Sequence, residues 1–402
     1  MVFMIAVLGI LVLQFSYFTR LDSTMAAHFR DREESYALAQ AGISQAISLL
    51  EEDKGTDQEE DGEDEGEEEP QQSKEKNVDS ADKEKGQDDL QEEWAQPAQV
   101  VQLGNGDFIF KITDEDRKFN LNQLVVDALQ EITEARESRF QAEDEEEDAT
   151  PQEEAETKKK SPSPSKEKEE AKKDDSEDDE EETKIDKEAK EALLILLDKL
   201  DVDSPKDIVK ALADWIDADN EGSAEKSYYS SEDPGYACKN YPLESMGELA
   251  LIKDIGLEML QGDSPREKIP VASEEGEEET FEEEDEDSFQ GLRHYLTVYS
   301  DGKVNINTAP LEVLEVVLGE DSEDLADDII KAREDIPFSS TKEVSEAIEE
   351  DIPSKALDKF KVTSEYFNIT SEGRVGKITT RIRAVVQRTK DHIRILLWRV
   401  ES

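Results

Sequence analysis

Four carboxylates lie close together at the end of one helical stretch: Asp214, Asp217 and Asp219, with Glu225 just downstream. Hard oxygen ligands at this density suit calcium. The spacing is not that of an EF-hand loop, and the same residues also fit a helix that simply runs out into an acidic loop. Nucleophilic or histidine-based chemistry has little to work with. His28, His294 and His392 are the only histidines and lie far apart, which leaves no basis for a Ser-His-Asp triad or a histidine metal site. Cys238 is the single cysteine, so no internal disulfide can form and thiol count does not decide the compartment. Paired carboxylates elsewhere give no catalytic signal, because pairs are unavoidable in acid-rich tracts. The expectation is a non-enzymatic protein.

The elements that must position the carboxylates are readable around them. Lys184 to Leu200 carries Ala189, Leu193, Leu196, Leu197 and Leu200 at helical spacing. Ser204-Pro205 opens a second helix, with Ser204 as N-cap and Pro205 at the first helical position. Ile208, Leu212, Trp215 and Ile216 form its inward face, and Asp219 to Tyr241 reads as loop. Leu243 to Ile252 reads as a short helix. Upstream, Gln99–Leu103 and Asp107–Thr113 flank Gly104-Asn105-Gly106, the signature of a β-hairpin with Phe108, Phe110 and Ile112 on one side.

Asp116-Arg-Lys-Phe-Asn-Leu-Asn122 is echoed by Asp301-Gly-Lys-Val-Asn-Ile-Asn307. Both read Asp-x-Lys-apolar-Asn-apolar-Asn before a helix, which suggests an internal duplication of a strand-to-helix junction. Tyr295 to Tyr299 reads as a strand. Three helices follow the second copy: one from Thr308–Pro310 through Leu318 and ended by Gly319, one capped by Ser322 and running to Arg333, and one from Ser339 to Ile348. Lys361 to Arg399 holds three strand candidates, at Phe367–Thr370, Ile378–Val386 and Ile393–Leu397. Alternation of Thr379, Arg381 and Arg383 with Thr380, Ile382 and Ala384 predicts a sheet with one wet face.

Charge divides the chain. The net charge is -58, and the tracts 51–93, 141–182 and 263–287 hold -40 of it. Such blocks repel themselves and bury too little apolar surface to offset ordering entropy, so disordered insertions are expected there. The rest, about 290 residues, has ordinary globular composition. Met1 to Thr19 carries no charged side chain and is near the lower length for a bilayer-spanning helix. Leu21, Met25, Phe29, Tyr36, Ile43, Ile47 and Leu50 continue the pattern as one helix face, with no proline before Pro70. A removed signal peptide fits poorly, since no Lys or Arg precedes the apolar run. Arg20, Arg30 and Arg32, all after the run, would by charge alone put the following chain in the cytoplasm.

Several stretches together resemble the minor pseudopilin K family of bacterial type II secretion. They are the apolar start into Arg20-Leu-Asp, Ala37–Gly42, the Trp94 segment and Phe119–Asn122. The most specific are Leu212-Ala-Asp-Trp-Ile-Asp-Ala-Asp219 with Glu225, Tyr228 and Tyr229, and Asn305–Leu314. The resemblance implies an α+β pseudopilin fold. A long N-terminal transmembrane helix packs on an antiparallel sheet, with a large inserted helical domain holding two small SAM-like or helix-hairpin-helix-like modules. The expected division is anchor 1–19, amphipathic continuation 20–52, acidic insertion 53–93, β-hairpin and sheet start 94–122, and first helical module 123–262 with an insertion at 141–185. An insertion at 263–288, a second module at 289–360 and terminal strands at 361–402 complete it.

The resemblance also implies a place in the inner membrane, single-pass, with the soluble head in the periplasm at the pseudopilus tip. The implied partners are I- and J-type minor pseudopilins and the inner-membrane secretion platform. The implied role is to support pseudopilus assembly and export across the outer membrane. Calcium sites occur in the helical domain of some members. Members carry a basic leader and a glycine before the apolar run, whereas this sequence opens at Met1 inside that run. The glutamate of major pseudopilins near the mature start is absent, as the resemblance to K implies. Leu311 to Arg333 resembles a helix-hairpin-helix, which leaves a membrane-tethered DNA-binding protein of an uptake system, or a type IV pilus accessory protein, as alternatives. The turn Gly319–Asp324 is strongly acidic, however, and duplex binding needs cations at the contact, so no nucleic acid is expected.

Overall fold

The computed structural model describes residues 2–56, 86–97, 100–147, 185–262, 290–319, 322–348, 352–390 and 392–401. In chain order the helices are α1 (Val2–Thr56), α2 (Ala128–Glu147), α3 (Lys187–Lys199), α4 (Pro205–Ile216), α5 (Lys226–Tyr229), α6 (Leu257–Gln261), α7 (Leu311–Leu318), α8 (Glu323–Asp335), α9 (Thr341–Ala347) and α10 (Ser354–Leu357). The strands are β1 (Val101–Leu103), β2 (Gly106–Asp114), β3 (Phe119–Asn120), β4 (Leu296–Thr297), β5 (Val304–Asn305), β6 (Phe360–Lys361), β7 (Tyr366–Val375), β8 (Ile378–Arg388) and β9 (Ile393–Glu401). The chain divides into two units, one of residues 1–119 and 261–402, the other of residues 120–260. Most of the three acidic tracts lies outside the described residues.

The first unit is built on a five-stranded antiparallel sheet ordered β1-β2-β7-β8-β9. Period-two alternation decides its helix-side face: Phe108, Phe110 and Ile112 of β2, Phe367, Ile369 and Val375 of β7, and Ile382, Ala384 and Val386 of β8 are buried there. Across them runs the C-terminal part of α1, burying Leu38, Ala39, Ile43, Ala46 and Leu50. Full burial of a Leu or Ile is worth about 1.5–3 kcal/mol, so this stripe is what docks the helix. The approach is close because glycine permits it. A Cβ on Gly373 would stand 2.1 Å from the Ser35 carbonyl oxygen and 2.5 Å from the Ala39 nitrogen. Ser35 and Thr380 hydroxyls hydrogen-bond across the same contact at 2.6 Å.

α1 is longer than the sheet needs. Before Ser35 its side chains are largely exposed, including Phe15, Phe18, Met25 and, at 64 %, Phe29. Among the described residues no helix is long and apolar enough to cross a membrane. The side chains at 2, 4–7 and 9, within the expected anchor, lie outside those residues.

The duplicated motif is structurally real. In the second unit, Asn120 Oδ1 accepts from Asn122 N at 2.9 Å. Asn122 then donates Nδ2–H to Leu243 O at 3.0 Å and accepts from Leu243 N at 2.8 Å. In the first unit, Asn305 Oδ1 accepts from Asn307 N at 3.0 Å. Asn307 donates to Phe338 O and accepts from Phe338 N, both at 2.9 Å. Each copy therefore uses its first Asn to turn the chain and its second to clamp one distant residue at both backbone groups.

Several expectations need correction. Residues 86–93, placed in an acidic insertion, are structured: Asp88, Asp89 and Glu92 are buried, because Arg388 reaches Asp88. The strand at Tyr295–Tyr299 shrinks to Leu296–Thr297. The helix at Leu243–Ile252 is a 3₁₀ turn over Met246–Leu251. Ser204 and Ser322 occupy N-cap positions without capping. Ser322 Oγ instead donates backwards to the Glu315 and Gly319 carbonyls, at 2.9 and 2.6 Å, closing the α7–α8 hairpin from its C-terminal side.

Candidate functional site

In the second unit, α4 forms because Ile208, Leu212, Trp215 and Ile216 share one buried face. The helix ends at Asp217, whose Oδ1 accepts from Asp219 N at 3.2 Å; Asp219 Oδ1 in turn accepts from Glu221 N at 2.7 Å. An aromatic cluster fixes the return of the loop: Trp215 lies edge-on to Tyr229 at 5.0 Å, and Tyr229 lies 5.2 Å from Tyr236. Carboxylate oxygens of Asp217, Asp219 and Glu225 come within 4.8 Å of one another.

Glu225 is 3 % exposed, and its Oε1 has no hydrogen-bond partner among the described residues. Burial, and then Asp217, Asp214 and Asp219, push its carboxyl up to about 7. Asp214, the fourth sequence candidate, is used differently. It is buried and its Oδ2 accepts from Ala224 N at 2.7 Å, bracing the loop from behind. Cys238 lies beneath it, with Sγ 3.5 Å from the Asp214 carbonyl oxygen, and burial raises the thiol to about 12. The chemistry open to this site is coordination of a hard cation by Asp217, Asp219 and Glu225. An orphaned buried carboxylate oxygen beside two further carboxylates fits that use.

Sequence reasoning missed a buried polar node in the first unit. Asp114 Oδ2 accepts from Thr308 Oγ1 at 2.5 Å and Ser364 Oγ at 2.6 Å, and Asn305 Nδ2 donates to Ser364 Oγ at 2.8 Å and to Asp88 O at 3.0 Å. Asp116 Oδ2 accepts from Glu365 N, Tyr366 N and Lys361 Nζ. Burial pushes Asp116 upward, but three donors on one oxygen are the surroundings of an ionised carboxylate, and that is the form the geometry supports. Arg388 stacks on the Phe367 ring at 4.9 Å and donates to Asp53, Asp88 and the Ser364 carbonyl. Asp53, Asp88 and Glu92 form a second carboxylate group, whose cation is already supplied by Arg388. The duplicated Asn305 was the one available signal for this node; nothing marked Arg388 as the partner of Asp88.

Two models described as type II secretion system protein K match the chain, at residues 117–265 and 304–362, together just over half of it. The chain belongs to the type II secretion protein K family. The first match covers the helical unit that carries the carboxylates, and the second covers the repeated Asn motif with α7–α10. No curated protein matches the chain. Among solved structures, the crystal structure of the GspK-GspI-GspJ complex from the enterotoxigenic Escherichia coli type 2 secretion system is similar. The TM-score is 0.51 at 14 % identity, over 96 % of this chain and 99 % of the other. At that identity the likeness is one of fold, and it joins the long helix, antiparallel sheet and helical insertion seen in this K-family chain.

Proposed function

We propose that this K-family protein is a minor pseudopilin at the tip of the type II secretion pseudopilus. In this reading it acts without catalysis, assembling with I- and J-type minor pseudopilins on the inner-membrane platform to prime the pilus and support export across the outer membrane. The observation that carries the reading is α1. Only its C-terminal part is buried on its own sheet, and the rest offers exposed Phe15, Phe18, Met25 and Phe29. Such a surface needs lipid or other helices. The uncharged opening to Thr19 would be the inner-membrane anchor, with the head in the periplasm. In the helix hairpin, Arg333 is spent on the Ile306 and Ala309 carbonyls, and Lys331 pairs with Asp328. That disfavours a grip on DNA. Detergent extracts of native membranes provide the test. Co-purification of the full chain with I- and J-type pseudopilins, and loss of export on its deletion, is expected; recovery of the chain without those partners, or normal export by cells from which it has been deleted, would overturn the reading.

The proposal extends to calcium at Asp217, Asp219 and Glu225, with Asp214 bracing the loop. A bound ion would tie residues 217–225 together and neutralise their repulsion. Calcium is expected to raise the melting temperature of the full chain, reversibly with chelator, and Asp219→Asn should blunt that shift. An equal shift with Asp219→Asn would remove these residues from the site.

A further inference from the structure

The sheet is wider than the helix that covers it. α1 buries side chains of β2, β7 and β8, and it comes closest over β7, at Gly373. β9, the edge strand beyond β8, lies outside that cover. On β9, Val400 stands opposite Ile382, Trp398 opposite Ala384 and Ile395 opposite Val386. The three β8 residues are fully buried in the core under α1, so their β9 partners point into the same layer. Ile395, Trp398 and Val400 are nevertheless 45, 37 and 45 % exposed. A β-bulge, with Leu396 as its extra residue, is what holds Ile395 and Trp398 on one face although they are three positions apart.

At one end of this bare row the step between helix and strand is hollow. A cavity of about 300 Å³ is lined by Phe29, Arg32, Glu33 and Tyr36 of α1, Thr380 of β8 and Val400 of β9. The exposed stretch of α1 and the bare face of β9 therefore meet, at Phe29 and Val400, as one apolar surface. Its wall carries one cation and one anion, which favours neither a strongly acidic nor a strongly basic ligand.

Spacing decides the shape of the occupant. Neighbouring strands lie about 4.8 Å apart, and packed helices about 8–10 Å apart. β9 is two strands from β7, about 10 Å, so the next helix lane beside α1 falls over β9. An extended peptide added to the β9 edge would lie in the plane of the sheet and leave the row uncovered. We propose that the bare face of β9 and the Phe29–Tyr36 flank of α1 together seat the N-terminal helix of an adjoining minor pseudopilin. That helix lies alongside α1, with one large apolar side chain in the cavity and Trp398 as the anchor beneath it. The proposal rests on the pilus-tip reading and adds to it that the partner helix is gripped by the head as well as by α1.

The test is co-purification of I- and J-type pseudopilins with the full chain from detergent extracts of secreting cells, comparing the parent with Trp398→Glu. At least tenfold less partner is expected with Trp398→Glu at an unchanged melting temperature. Arg399→Gln, on the opposite face of β9, should retain the parent's yield. A photo-crosslinking probe at Val400 in the otherwise native chain gives a second readout, and its product should map to the N-terminal helix of a partner. Full partner yield with Trp398→Glu, an equal loss with Arg399→Gln, or a Val400 product mapping to lipid, to this chain itself or to a partner's globular head would overturn the seat. The pilus-tip reading survives those results as long as the parent chain still brings down its partners; if the parent brings down none, both fail.

Discussion

Replacing Asn307 by Ala should loosen the second helical module more than the lost side-chain volume suggests. Asn307 is 2 % exposed and makes two 2.9 Å bonds to one residue, donating to Phe338 O and accepting from Phe338 N. Alanine leaves both backbone groups of a buried residue unmet. Each unmet buried group costs about 1–3 kcal/mol, so a loss of about 2–5 kcal/mol is expected. That is a large part of the 5–15 kcal/mol typical of a domain. Asn307→Asp keeps the acceptor but turns a carboxylate oxygen toward Phe338 O, and should cost about 3 kcal/mol or more at neutral pH. Hydrogen exchange is the informative assay, because it reads the clamp locally. The Phe338 amide should lose protection in Asn307→Ala while the Leu243 amide, held by Asn122 in the other unit, keeps it; Asn122→Ala should give the reverse. A loss of stability below about 0.5 kcal/mol with Phe338 still protected would refute the clamp.

Three further outcomes are expected. Gly373→Val should detach α1 from the sheet, because even a Cβ there meets Ser35 O at 2.1 Å; far-UV circular dichroism and protease cleavage near Ser35 would register it, and native-like resistance would contradict it. Glu372 is pushed up by burial but lowered on balance by the hydrogen bonds of Arg374 and Arg381, so its charged form stabilises the fold above the unfolded carboxyl range. Glu372→Gln should therefore cost on the order of 1 kcal/mol at pH 7, with the deficit fading as pH falls through the lowered native pKa; a pH-independent deficit would show that charge is not the cause. Ser322→Ala should loosen the α7–α8 hairpin by about 1 kcal/mol through its two carbonyl partners, measurable as faster amide exchange in α8, whereas a capping role would have been lost through an amide.

What could be read from the sequence was whatever repeats locally. Alternation at 379–384 gave the β8 faces, and period 3.6 gave the buried stripe of α4, because each pattern reports on its own element. The seven-residue echo at Asp116 and Asp301 was legible too, although only the structure shows that its last Asn is a clamp. The carboxylate group was legible in part: the loop brings Asp217, Asp219 and Glu225 together, while Asp214 turns to the Ala224 amide. Residues 86–93 were not legible. Their acids look like the rest of the tract until Arg388, 300 residues away, supplies the charge that lets Asp88 be buried. Contacts of that separation leave no local period. Ser322 failed for a different reason, since a hydroxyl beside a helix start can donate backwards as readily as it can accept.

The central claim is that the exposed stretch of α1 is a packing surface for sister helices. Site-specific photo-crosslinking in secreting cells tests it most directly, with the probe placed in turn at Met25, Phe29 and Ile43. The account predicts crosslinks from Met25 and Phe29 to I- or J-type pseudopilins, and only internal products from Ile43, which is sealed against its own sheet. Crosslinks absent at Met25 and Phe29, or equally strong to partners from Ile43, would contradict it.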